Sequence, residues 1–143
     1  MTTAETNLKD TITALYAGWL KALEERKFEW FDRHLAEDYT LTAHPFEKLF
    51  LRKREFIEVD KLVSQAKVHI EDVFAHRAGP NVVSHLVARI EKETLSADPG
   101  HNLPSAAALG KLLTGKSVVY ASAWRQESGI WKCFDHHMIG PID

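Results

Sequence analysis

The sequence predicts an α+β domain with about three N-terminal helices packed on one face of a curved antiparallel or mixed sheet. Three features carry that expectation. Apolar residues recur at steps of three and four early in the chain, β-favouring runs dominate after residue 68, and Ser128-Gly129 separates the last two of those runs. The 143 residues suit one domain, 1–143, with one core.

Leu8, Ile12, Leu15, Tyr16, Trp19, Leu20 and Leu23 form one face of a long amphipathic helix. Phe28, Phe31 and Leu35 continue with a second helix. Tyr39 to Ala43 then switches to β-favouring residues, and Pro45 pushes His44 towards extended backbone. Phe56, Val59, Leu62 and Val63 restore the helical period over about 52–63. The second half reads as a strand around 68–74, turn chemistry at Gly79-Pro80, and strands at 82–93, 116–126 and 130–139. Between the middle two, Asp98-Pro99-Gly100 marks a turn, and Ser105 caps a short Ala/Leu helix over 105–113. This excursion is open to two readings, a lid over a pocket or a surface or subunit contact.

Charge excludes some functions. Eighteen basic against 20 acidic side chains leave a net −2, without the positive field that general nucleic-acid binding needs. No apolar run approaches a membrane span, and the first residues carry neither a basic start nor an apolar core, so neither membrane nor export is expected. One cysteine, Cys133, forms no internal disulfide or cysteine-based zinc site, which suits a reducing cytoplasm. The eight histidines show no chelating spacing, so no metal is expected. Lys48 and Arg52-Lys53-Arg54 read as a solvated helix face, not an anion site.

With Ser128 and Gly129 as a two-residue loop, an unbroken hairpin pairs Trp124 with Cys133, Ala123 with Phe134 and Ala121 with His136. One face then carries Tyr120, Trp124, Trp131 and Cys133, a flat aromatic surface expected to form a homodimer contact. The other carries Ala121, Ala123, Phe134, His136 and Met138, whose small side chains would hollow a pocket.

Three segments carry a family resemblance. They are Tyr16-x-x-Trp19-Leu20-x-Ala22-Leu23 running into Phe28-Glu29-Trp30-Phe31-x-x-His34-Leu35-Ala36-Glu37-Asp38-Tyr39; Thr42-Ala43-His44-Pro45-Phe46 with Arg54-Glu55-Phe56-Ile57; and Trp124-x-x-x-Ser128-Gly129-x-Trp131-Lys132-x-Phe134-x-His136-His137. Together they resemble the nuclear transport factor 2-like (NTF2-like) superfamily, near its SnoaL-like bacterial members. The resemblance implies a cone-shaped fold around an apolar pocket, usually dimeric. It covers enzymes such as ketosteroid isomerase and scytalone dehydratase, and also modules that only bind or assemble. The isomerase's base, an aspartate before Pro-Phe, corresponds to His44. Its oxyanion tyrosine falls near Trp19 or Leu20, and its protonated aspartate near Ala121. Both oxyanion donors are lost, which argues against ketosteroid isomerisation.

The resulting expectation is a protein that binds a small, mostly apolar organic molecule without a cofactor. His44 serves as a general base and His136 as its partner, inside a pocket lined by Tyr16, Trp19, Tyr39, Phe56, Ala121, Ala123, Phe134 and Met138. The chemistry would be isomerase-, dehydratase- or cyclase-type proton transfer. The alternative is a non-catalytic binding or dimerisation module with structural histidines. An enclosed cavity of about 300 Å³ or more favours the first, and a cone plugged by side chains the second.

Overall fold

A computed structural model describes residues 3–142, with side chains from residue 7 onward. Met1 and Thr2, part of the start read above for a leader, lie outside the described residues. The apolar stripe of the first helix becomes α1 (Thr3–Glu25), followed by α2 (Glu29–His34), β1 (Leu35–Ala43), β2 (Leu51–Arg52) and α3 (Lys53–Asp60). The β-rich half supplies β3 (Val63–Ala78), β4 (Asn81–Leu95), β5 (Lys116–Glu127) and β6 (Ile130–Pro141), with α4 (Ala106–Leu113) between β4 and β5. Among the described residues no helix is long and apolar enough to cross a membrane.

All six strands join one mixed sheet in the order β2-β1-β6-β5-β4-β3. Only β1 and β6 run parallel; the other neighbours are antiparallel. Ser128 and Gly129 form the expected tight loop, both at positive φ (53° and 79°). Ser105 caps α4, its hydroxyl accepting from the Ala108 amide at 3.2 Å.

The inner face of the sheet is legible along β4, where Val82, Ser84, Leu86, Ala88 and Ile90 are buried while Val83, His85 and Arg89 are exposed. Strand alternation alone produces this pattern under a single helical layer. Trp19 of α1 is the hub of the inner core. Its ring centroid lies 5.6 Å from both Phe31 and Phe56, 6.4 Å from Trp124 and 4.7 Å from His136.

The hairpin register holds from the loop to the Trp124–Cys133 pair and then departs from the unbroken ladder. Ala123 pairs with Asp135, so Phe134 is an extra residue, a β-bulge. Beyond it Ser122 faces His136 and Ala121 faces His137, one residue out of the expected step. The bulge exchanges the two faces of β6. His136 now shares the inner face with Tyr120, Ser122, Trp124 and Cys133, while Ala121 and Ala123 lie on the outer face beside the bulged Phe134, over which the Arg125 guanidinium sits at 5.0 Å.

The aromatic face is therefore the interior. Trp124 and Cys133 are fully buried within the protomer, and Tyr120 packs on the core, so none of the three is an outer contact. Burial also pushes the Cys133 thiol up, away from reactivity. Trp131 sits half-buried at the sheet's end, its carbonyl oxygen 3.2 Å from His34 Nδ1 and the Arg77 guanidinium 6.0 Å from its ring.

The basic cluster divides as well. Arg52 and Arg54 are solvated, but Lys53 is buried, its ammonium donating to the Asp32 carbonyl at 2.8 Å and the Glu37 carboxylate at 3.0 Å. Because Trp124 is enclosed, Trp124→Asp places an unpaired charge in the core, a change expected to cost upwards of about 4 kcal/mol. The variant should lose its cooperative thermal transition by circular dichroism; a folded monomer would contradict this placement.

Candidate functional site

Between α1, α3, α4 and the inner face of the sheet lies a chamber of about 160 Å³. Its wall is apolar, built from Trp19, Leu20 and Leu23 of α1, Phe56 and Val59 of α3, Leu109 and Leu113 of α4, and Leu86, Ile90 and Met138 of the sheet. The excursion between β4 and β5 thus closes over the chamber, with Leu95 and Leu103 adding to the wall. The space is below the roughly 300–1,000 Å³ of drug-sized sites. It is close to the roughly 150 Å³ that accommodates benzene in an engineered cavity. The cone is partly filled, with room for one ring or a short branched chain.

A chain of buried hydrogen bonds ends at the chamber. The indole Nε1–H of Trp124, which can only donate, gives its proton to Ser84 Oγ at 2.9 Å. Ser84 Oγ lies 2.6 Å from the Tyr16 hydroxyl, which donates to Ser122 Oγ at 2.8 Å. With the Tyr16 proton committed to Ser122, the Ser84 hydroxyl donates to Tyr16. Ser122 Oγ is 2.7 Å from His136 Nδ1. If Nδ1 were the donor, the Ser122 proton would find no acceptor among the described residues; with Ser122 as donor every link is satisfied. The network therefore assigns the imidazole proton to Nε2.

His136 is held between the rings of Tyr120 (5.2 Å, 9°) and Trp19 (4.7 Å, 36°). Burial, with a smaller contribution from His137, lowers its pKa to about 3, so it is neutral at physiological pH. Its Nε2–H makes no hydrogen bond among the described residues and belongs to a side chain lining the chamber. Burial likewise raises the Tyr16 hydroxyl to about 12, fixing it as a neutral link in the chain.

Two carboxyl groups line the same space. Asp60, at the end of α3, is only 8% exposed, and its Oδ2 is enclosed without a hydrogen-bond partner among the described residues. Burial, and then the neighbouring Glu93, pushes its pKa well above the usual range. Glu93 of β4 is raised to about 7 by burial. The Tyr120 hydroxyl is pushed up by burial and further by the charges of Glu93 and Asp60. The wall holds no lysine or arginine among its described residues.

Solved structures with this architecture are numerous. An NTF2-like protein from Cytophaga hutchinsonii superposes at a TM-score of 0.71, covering 98% of this chain and 99% of its own at 15% identity. The chain has an NTF2-like fold. A proposed dehydratase of the NTF2-like family from Streptomyces avermitilis matches at 0.68 over 99% of this chain and 100% of its own, at 16% identity. A proposed Ca/calmodulin-dependent kinase II association domain from Exiguobacterium sibiricum matches at 0.68 over 100% and 98%, at 12% identity. No protein-family model matches the chain, and no curated protein matches it.

Within the NTF2-like cone, Tyr16, Trp19, Phe56, Met138 and His136 line the chamber. Tyr39 does not: it is fully buried behind the wall, its ring 5.2 Å from Phe56 and its hydroxyl without a partner among the described residues. Ala121 and Ala123 face outward because β5 alternates and Ser122 and Trp124 face in, Phe134 is itself the bulged residue, and Tyr120 takes the wall position expected of Ala121. His44 is exposed at the end of β1, where its amide donates to the Met138 carbonyl at 2.8 Å; its neighbour Phe46 enters the wall instead. The geometry does not bring His44 and His136 together in the chamber.

Asp60 and Glu93 are the site residues that sequence reasoning missed. Asp60 had a signal, since it follows Phe56 by four residues and shares its helix face. Glu93 had none. Ile90 pairs with Val68 while Lys92 pairs with Lys67, leaving Glu91 as a bulge that swings Glu93 onto the inner side.

The raised carboxyl of Glu93 fixes a sign. Its ordinary value of 4.5 becomes about 7 in the fold, so the native state holds a proton that the unfolded chain releases between those values. Stability is therefore lost as pH rises through that window. Glu93→Gln should gain about 2 kcal/mol relative to wild type between pH 5 and pH 8, read from thermal or urea unfolding at both pH values. An unchanged difference would mean that the carboxyl is well solvated.

Proposed function

We propose that the protein binds a small, mostly apolar organic molecule of about one ring inside the cone. His136 Nε2–H donates a hydrogen bond to an oxygen on that molecule. The observation that carries this is the one-way chain from Trp124 to His136, which leaves an imidazole N–H without a partner among the described residues, in a wall that is apolar save for Asp60, Glu93 and two tyrosine hydroxyls. Such preformed chambers with a few converging polar groups are the usual form of small-molecule sites.

Binding, not turnover, is the function that this geometry supports best. A histidine held neutral down to about pH 3 orients a ligand but supplies no proton at neutral pH. Cofactor-independent proton transfer, of the kind suggested by the proposed dehydratase with this fold, would have to proceed without His44, which stands outside the chamber. A reducing cytoplasm is the compartment that the buried lone thiol suits.

Acetophenone, one ring with one acceptor oxygen, is a suitable probe. It should raise the melting temperature and bind at least ten-fold more weakly to His136→Phe, while toluene binds both forms alike. Equal acetophenone affinity in the variant, or no binding to wild type, would overturn the proposal.

The homodimer belongs to this proposal on a corrected surface. All helices lie on the inner side, and the outer face of β3 to β6 presents Phe74 (51% exposed), Val83 (44%), Val119, Ala121 and Ala123. A second copy is the occupant that fits a sheet face left uncovered by helices and bearing exposed Phe74 and Val83, and one structural neighbour is itself a proposed association domain. Phe74→Asp combined with Val83→Asp should shift sedimentation from dimer to monomer with the fold intact. A wild type that is monomeric at micromolar concentration would end this part of the proposal.

A further inference from the structure

We infer that the Asp60–Glu93 end of the chamber is a subsite for an organic ammonium group, so that the bound molecule is a small amine. This rests on the chamber being a small-molecule site and adds the chemistry of the ligand's second polar end.

Charge and geometry carry it. Asp60 is more than nine-tenths buried, lines the chamber, and has an enclosed oxygen with no hydrogen-bond partner among the described residues. Glu93, half-buried on β4, faces the same space in a mostly apolar wall. No lysine or arginine among the described wall residues balances them, and the one imidazole present, His136, is held neutral by burial. Two acids without a counter-ion destabilise a fold, because each must shed water without gaining a partner. An ammonium group would supply that partner, donating up to three hydrogen bonds to carboxylate oxygens and letting both acids ionise. Binding then recovers interaction energy from groups whose dehydration already occurred on folding.

The remaining wall favours the same class of ligand. Trp19, Phe56 and Tyr120 offer ring faces that attract an organic cation. An anion would meet two acids. Calcium or magnesium would need about six oxygen ligands, and among the described residues no three His, Cys, Asp or Glu side chains are grouped to hold a metal ion. A volume of about 160 Å³ limits the rest of the molecule to one ring or a short chain. Neutral alcohols are the closest competitors, because protonated carboxyls can donate to them.

Isothermal calorimetry at pH 7.5 with benzylamine, benzyl alcohol and benzoate separates these cases, with acetophenone as the control for the chamber itself. Benzylamine should bind at least ten-fold more tightly than benzyl alcohol, and benzoate more weakly than either. Glu93→Gln, which removes a strained acid and should fold at least as well as wild type, is expected to abolish the preference for amine over alcohol while leaving acetophenone affinity unchanged. Asp60→Asn should act in the same direction. Benzyl alcohol binding as tightly as benzylamine, or an amine preference that survives Glu93→Gln, would overturn the ammonium subsite while acetophenone binding still upholds the chamber. Failure of all four probes would overturn the chamber and this inference together.

Discussion

The parity of two strands governs this protein. A β-strand offers its side chains to alternate faces, so one inserted residue transfers everything beyond it to the opposite side. Phe134 does this in β6 and Glu91 does it in β4. The first insertion turns His136 onto the inner face that Trp124 and Ser122 occupy on the neighbouring strand. The second brings a carboxyl into a wall that would otherwise continue as plain hydrocarbon. His136 and Glu93, two of the polar groups that the sheet contributes to the chamber, owe their direction to these insertions.

Those insertions also mark where the sequence stopped being legible. The order of helices and strands, the Ser128-Gly129 loop and the Ser105 cap were all readable, because helical period, turn chemistry and capping are local properties. Tyr16, Trp19 and Phe56 were readable as wall residues for the same reason, since they lie on the apolar stripes of their helices. A bulge is set by how two distant strands accommodate curvature, and neither strand's own pattern announces it. The hairpin register is therefore legible up to Trp124–Cys133 and lies one residue out beyond it, while which face is the interior is decided by the helices packed on it and not by the strands' own pattern. His44 failed for a different reason. Its place in the chain matched an isomerase base, but β1 ends before its side chain enters the cone, and Phe46 fills that wall.

Two kinds of rigidity meet at the narrow end of the cone. Trp19 locks six neighbouring rings from both layers, and the chain from Trp124 to His136 gives each buried hydroxyl a partner. At the acid-bearing part the balance is reversed: Asp60 Oδ2 is buried without a partner among the described residues, and stability is surrendered. Local rules broken against a well-satisfied background are characteristic of sites shaped by something other than folding.

The parallel pairing of β1 with β6 has a consequence for synthesis. β1 is complete by residue 43, yet apart from the two-residue β2 its only strand partner is β6, at residues 130–141. A chain emerging from the ribosome must carry this half-buried strand unpaired through most of its translation, and closing so long a loop is slow. Until then its hydrogen-bonding edge is open to other chains, so the order of synthesis itself exposes this strand to mispairing.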